Sequence, residues 1–171
     1  IVGFFAENSV GMLNLKNMEY SKKDFKEGNG DVVFKIPHFG TWGIQGDRAF
    51  IPAVGERKIH VLDFKNLKYI GSIDLIGLPV FVVVSPDGKY LAVNYSGDKS
   101  DYISIVDPIK PHLLKDIQAG SRVMHLRPSA DGAKLYISSY FESRVKFLET
   151  GGWTVSGGAD VPTPSGIFIV R

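Results

Sequence analysis

Gly88-Lys89-Tyr90-Leu91-Ala92-Val93, followed after a polar interval by Ile103-Ser104-Ile105-Val106-Asp107, is the stretch that decides the fold. The same pattern occurs earlier as Gly46-Asp47-Arg48-Ala49-Phe50-Ile51, closing at Ile59-His60-Val61-Leu62-Asp63. It occurs again as Gly132-Ala133-Lys134-Leu135-Tyr136-Ile137, closing at Val145-Lys146-Phe147-Leu148-Glu149. The leading glycines are 42 and 44 residues apart, and the closing acids 44 and 42 (88−46, 132−88; 107−63, 149−107). A period of ~40–45 residues with several short strands per unit is the signature of β-propeller blades. The fold class is therefore all-β.

Around the central unit the chain reads as one blade. An apolar strand, 80–84, leads to the turn Pro86-Asp87-Gly88, and a second strand follows over 90–95. A polar loop with Gly97-Asp98 leads to a third strand, 102–106, and a fourth, 113–118, alternates weakly. Asp-Gly turns supply the positive φ of tight hairpins, and the Val, Ile, Tyr and Phe content suits pleated sheets. The reading divides the chain into an incomplete blade (1–36), three blades (37–78, 79–121 and 122–164) and the first strand of a closing blade (165–171). The run 1–5 followed by 10–15 is expected to form the second and third strands of the incomplete blade. The run 167–170 is expected to be an innermost strand that pairs near Ile1 or with another polypeptide, because a bare apolar strand edge aggregates. The chain opens with Ile1 inside an apolar run, so an upstream segment is expected.

Composition narrows the function classes. With 44% hydrophobic and 22% charged residues the chain can build a core. A net charge of +2 gives no argument for a nucleic-acid partner. The absence of cysteine excludes disulfides, zinc–thiolate sites and thiol chemistry. No apolar run approaches the ~20 residues of a membrane helix. No Gly-x-Ser-x-Gly, P-loop or His-Glu-x-x-His motif occurs.

Propeller chemistry sits at the channel mouth, on loops that enter the innermost strands. His38 and His125 occupy nearly equivalent places at the starts of blades. Two imidazoles facing one channel suit proton transfer or metal ligation, so both are candidate catalytic residues and candidate metal ligands. Arg122 and Arg127 bracket His125 and suit a polycarboxylate ligand, because guanidinium forks hold carboxylates bidentately. Trp42 and Phe39 are candidates for a stacking wall, and Phe81 lies in the loop-to-strand segment of the next blade. Asn94, Tyr95, Ser138 and Ser139 lie where the following strand nears the channel. His60 alternates with Lys58 and is expected to face solvent, and His112, after Pro111, is expected to be an exposed turn residue. Asp63, Asp107 and Glu149 recur once per blade and read as turn residues.

Four segments carry a family resemblance: Pro37-His38-Phe39-Gly40-Thr41-Trp42, Gly77-Leu78-Pro79-Val80-Phe81-Val82-Val83, Val123-Met124-His125-Leu126 and Pro164-Ser165-Gly166-Ile167-Phe168. From about residue 32 onward the chain resembles the C-terminal half of the NirF family of heme d1 biosynthesis proteins. These are related to the eight-bladed d1 domain of cytochrome cd1 nitrite reductase. The resemblance implies an eight-bladed ring and a heme d1, or a dihydro-heme d1-like precursor, over the channel mouth. It carries over His38 and His125 as residues on the heme-iron side; Trp42, Phe81, Asn94, Arg122 and Arg127 stand beside them as cofactor-binding candidates from their chemistry and position. It implies denitrifying metabolism, a periplasmic setting, and a maturation role that is either an oxidoreductase (dehydrogenase-type) step or carriage of the tetrapyrrole. The implied partners are the tetrapyrrole, an N-terminal half or second copy that completes the ring, and other heme d1 biosynthesis proteins or nitrite reductase. The alternatives are the d1 domain of a nitrite reductase and a cofactor-free interaction propeller.

Overall fold

The computed structural model describes residues 1–4, 9–27, 29–31 and 41–170. Strands β1 (Val2–Gly3), β2 (Val10–Asn14) and β3 (Glu19–Lys23) form a three-stranded sheet, and β4 (Lys26–Glu27) and β5 (Gly30–Asp31) a small hairpin. Three four-stranded sheets follow. The first holds β6 (Gly43–Gln45), β7 (Arg48–Ala53), β8 (Lys58–Asp63) and β9 (Lys68–Asp74). The second holds β10 (Leu78–Val84), β11 (Leu91–Ser96), β12 (Tyr102–Asp107) and β13 (His112–Gln118). The third holds β14 (Val123–Pro128), β15 (Lys134–Ser139), β16 (Arg144–Glu149) and β17 (Thr154–Asp160). In each, neighbours in sequence pair antiparallel, so each sheet is a propeller blade. Single turns of 3₁₀ helix, Val54–Glu56 and Gly97–Lys99, join second to third strands in two blades. Among the described residues no helix is long and apolar enough to cross a membrane.

The first and second complete sheets are buried on both faces. Leu91, Val93 and Tyr95 pack toward the preceding blade, with Phe50, Ile59, Val61 and Ile73. Ala92, Ile103 and Ile105 pack toward the following one, with Leu126, Leu135, Ile137 and Leu148. Period-2 alternation thus assigns side chains to two different interfaces, not to core and solvent. A third cluster joins Val10 and Phe25 to Ala49, Ile51 and Leu62, and ties the three-stranded sheet to the first complete blade.

The turns after the first strands repeat one device. The Ser85 hydroxyl donates to Asp87 (2.7 Å) and accepts the Lys89 and Tyr90 amides (both 3.0 Å). Ser129 does the same with Asp131 and the Lys134 amide. Hydrogen bonds from Ser85 and Lys89 hold the Asp87 carboxyl down at about 2. Gly88 and Gly132 close these turns at φ of 69° and 74°, a region that favours glycine.

One expectation needs correction. His60 does not face solvent; it is 1% exposed. That face of β8, shared with Ile51 and Leu62, packs toward Val10 and Phe25 of the preceding part of the chain, and the ring bonds Tyr69 (3.0 Å) and Glu56 (3.1 Å). In this chain alone residues 167–170 form no strand, and the Ile167 amide bonds the His125 ring of β14. The second blade's first strand begins at Leu78, one residue before the boundary read from sequence.

Ile105, fully buried between two blades, should cost about 2–5 kcal/mol when truncated to Ala. Leu114, half exposed on an outer strand, should cost less than about 0.5 kcal/mol. Urea denaturation of both variants measures the contrast, and equal losses would contradict the two-interface packing.

Candidate functional site

The site grows from a defect in the ladders. The first strands of the second and third blades, β10 and β14, carry register shifts between Pro79 and Val82 and between Val123 and His125. A bulge removes a backbone amide from its ladder and re-aims the neighbouring side chain. Each freed amide finds a side chain of the adjacent strand. Phe81 N–H donates to Asn94 Oδ1 (2.9 Å), and His125 N–H donates to Ser138 Oγ (2.8 Å). Phe81 and His125 are 44 residues apart (125−81), the spacing of Gly88 and Gly132, and so hold the same place in successive blades. Their rings meet edge to face, with centroids 5.2 Å apart.

The C-terminal segment completes the cluster. Ile167 N–H donates to His125 Nδ1 (3.3 Å), and Arg127 Nε donates to the Ile167 carbonyl (3.5 Å). The Phe168 ring, 80% exposed, lies 5.9 Å from the imidazole at a 33° tilt. Because Nδ1 accepts, the neutral ring carries its proton on Nε2 and presents an N–H there. Ligating a metal through Nε2 would first require that proton to move. Burial, then the Arg127 charge, pulls the His125 pKa below its ordinary value.

The other sequence candidates separate. Arg122 sits at the entrance to β14 in the left-handed region (φ 56°), its amide held by Asp101 Oδ1 (2.8 Å). Its side chain is exposed, and among the described residues no acceptor bonds its guanidinium. Asn94 is 2% exposed and both ends of its carboxamide are engaged, the second by donation to the Val123 carbonyl (2.9 Å). It therefore belongs to the framework under the site rather than to its open surface. Trp42 packs on the Val10, Phe25, Ala49, Ile51 and Leu62 cluster. A Cβ on Gly3 would come within 2.7 Å of its ring. Trp42 is partly buried and packs at another blade junction, away from the Phe81–His125 contact. Tyr95 and Ser139 are buried, bonded to Ser104 and to the Ser121 amide. His112 is exposed, as expected, but opens strand β13 rather than lying in the turn before it. His38 and Phe39 lie outside the described residues. Phe168 escaped the sequence reading, although it lies at the end of one of the four quoted segments.

The whole chain, residues 1–171, matches the Cytochrome D1 heme domain family. The chain belongs to that family. Protein NirF of Pseudomonas aeruginosa is 30% identical over 98% of the chain, and Protein NirF of Stutzerimonas stutzeri is 27% identical over the same share. The chain spans 44% of the length of each. Among solved structures it superposes on dihydro-heme d1 dehydrogenase NirN in complex with DHE. The TM-score is 0.71 at 17% identity, over 93% of this chain and 34% of that one. Kuenenia stuttgartiensis hydrazine synthase gives 0.70 at 18%, over 91% and 44%. At these identities the structural likeness speaks for the fold alone.

As a d1 heme domain, the site fits a flat, carboxylate-bearing group. Phe81, His125 and Phe168 offer ring surfaces, Nε2–H of His125 is a donor, and Arg122 has an exposed guanidinium without an acceptor among the described residues.

His125 should titrate below about 6.5, its ordinary value. A depressed pKa means that its contribution to folding is fully present above the unfolded value and is lost as pH falls through the folded one. Arg127→Gln should move the midpoint upward by removing the second cause. NMR titration of the imidazole checks both; a midpoint at or above the ordinary value would contradict the buried, Arg127-flanked setting.

Proposed function

We propose that this d1 heme domain binds a d1-type heme or its late precursor where the first strands of its second and third complete blades meet, and serves heme d1 maturation in the periplasm. The observation that carries the reading is the juxtaposition of Phe81 and His125 at repeat-equivalent bulges, flanked by Arg122 and Arg127. Family membership over the full chain supports the ligand class, and the NirF relatives support maturation as its purpose. A d1-type heme supplies the redox-active iron and the conjugated macrocycle when bound. The chain's own residues do the holding. Phe81 and Phe168 cover apolar macrocycle surface, His125 donates from Nε2, and Arg122 pairs a peripheral carboxylate. His38, carried over by the resemblance, is proposed to contribute from the neighbouring blade. The ring is proposed to be completed by further blades, from an N-terminal half or a second copy. Delivery to other heme d1 biosynthesis proteins or to nitrite reductase follows from a holding role. An oxidoreductase step would use the same surface.

Titration with heme d1 extracted from a cytochrome cd1 nitrite reductase, followed by absorption, tests the reading. Charged hydrogen bonds of this kind contribute roughly 1.5–3 kcal/mol. An Arg122→Ala, Arg127→Ala double variant should therefore bind about tenfold more weakly or worse, with its fold intact. His125→Ala and Phe81→Ala should each weaken binding and shift the absorption bands. Wild-type affinity and spectrum in all three would remove the site.

A further inference from the structure

We infer that Asn94 is the positioning residue of this site, fixing the Phe81 ring against His125 across the blade junction. The inference rests on the reading of that junction as the tetrapyrrole site. Asn94 lies on β11, one strand behind the surface, and is 2% exposed. Its carboxamide faces two blades at once. Oδ1 accepts the Phe81 amide freed by the β10 bulge (2.9 Å). Nδ2 donates to the Val123 carbonyl (2.9 Å), at the first residue of β14 and beside that strand's own bulge. One rigid amide thus sets the offset between the two strands that carry the facing rings. The bond to Val123 is buried and the bond to Phe81 part-buried, so losing either leaves a backbone group with restricted access to water, a penalty larger than the net worth of an exposed hydrogen bond.

The next blade shows what a shorter side chain does in the same place. Ser138 is 44 residues on (138−94) and accepts the His125 amide. Its hydroxyl's other contact, 3.4 Å, returns to the His125 carbonyl within the same blade. Serine satisfies the bulge; asparagine satisfies the bulge and also reaches the neighbour. The register at Phe81–His125 depends on that added reach.

Asn94→Ser separates the two functions, because it keeps an acceptor for Phe81 N–H and removes the link to Val123. Tyr95→Phe is the control. It removes a buried hydrogen bond to Ser104 on the opposite face of the same strand and leaves the junction bonds in place. Both variants are expected to remain folded and to lose stability in urea. Only Asn94→Ser is expected to shift the His125 ring-proton resonances, which sense the ring current of Phe81, and to weaken binding of extracted heme d1 several-fold. Asn94→Ala should move the same resonances at least as far. Unmoved His125 resonances in a folded Asn94→Ser protein would overturn the positioning role, whatever the heme titration gives. If the resonances move while affinity stays at the wild-type value, the positioning of a binding site is likewise refuted. Loss of the site itself is read independently, from the His125→Ala and Phe81→Ala titrations.

Discussion

The first two complete sheets in this chain have two apolar faces each, and neighbouring sheets cover them. Leu91 and Ala92 are adjacent in sequence, both are fully buried, and they belong to different clusters. A sheet with one wet face needs apolar residues only at alternate positions. These central strands place buried side chains at consecutive ones, and stacking against a neighbour on each side follows. The meander of each blade and the recurrence of serine–aspartate turns serve that stacking. So does the placement of charged residues mainly on outer strands and loops. The site is a local departure from this order, made where the first strands of two blades approach.

That departure needs a bulge. A regular ladder would place successive side chains of β10 and β14 strictly alternately on the two faces. The register shifts between Pro79 and Val82 and between Val123 and His125 break the alternation at the entrance to each strand. A freed, buried amide is costly, and Asn94 and Ser138 offset that cost from the strand behind. The exposed chemistry of the site therefore depends on buried polar residues that a ligand would never meet.

The fold was legible because glycine spacing and strand patterning repeat along the chain, and those features follow from local turn geometry and from burial. The approach of Phe81 to His125 was half legible. Both residues stood out in their segments, but contact between them depends on bulges, which leave no mark on hydrophobic periodicity. His60 was misread for an instructive reason. Alternation with Lys58 signals a solvent face in a one-sided sheet, whereas here the alternate face meets another blade, and Tyr69 and Glu56 satisfy the buried ring. Trp42 was legible as an aromatic beside His38, but its packing on Val10, Phe25 and Ile51 was not, because aromatic rings serve blade junctions as readily as cofactor surfaces. Arg122 was legible as charge, but its left-handed backbone and its anchor to Asp101 were not.

The repeat itself explains how one architecture carries both scaffold and site. Blades must agree at positions that face their neighbours' cores, and the buried aliphatic residues of β7, β11 and β15 show that agreement. They need not agree at the bulge. There the second blade has Phe81 over Asn94, and the third has His125 over Ser138. The bulge amide is bonded in both, so the fold is served equally, while the side chains that project from it differ in chemistry. The difference at these positions gives the junction of the second and third complete blades a chemistry that the shared core positions do not have. His125 is held there by backbone bonds and by Ile167 at Nδ1, which leaves Nε2 with a proton to offer. A repeat protein can acquire a directional site this way without disturbing the packing on which every blade depends.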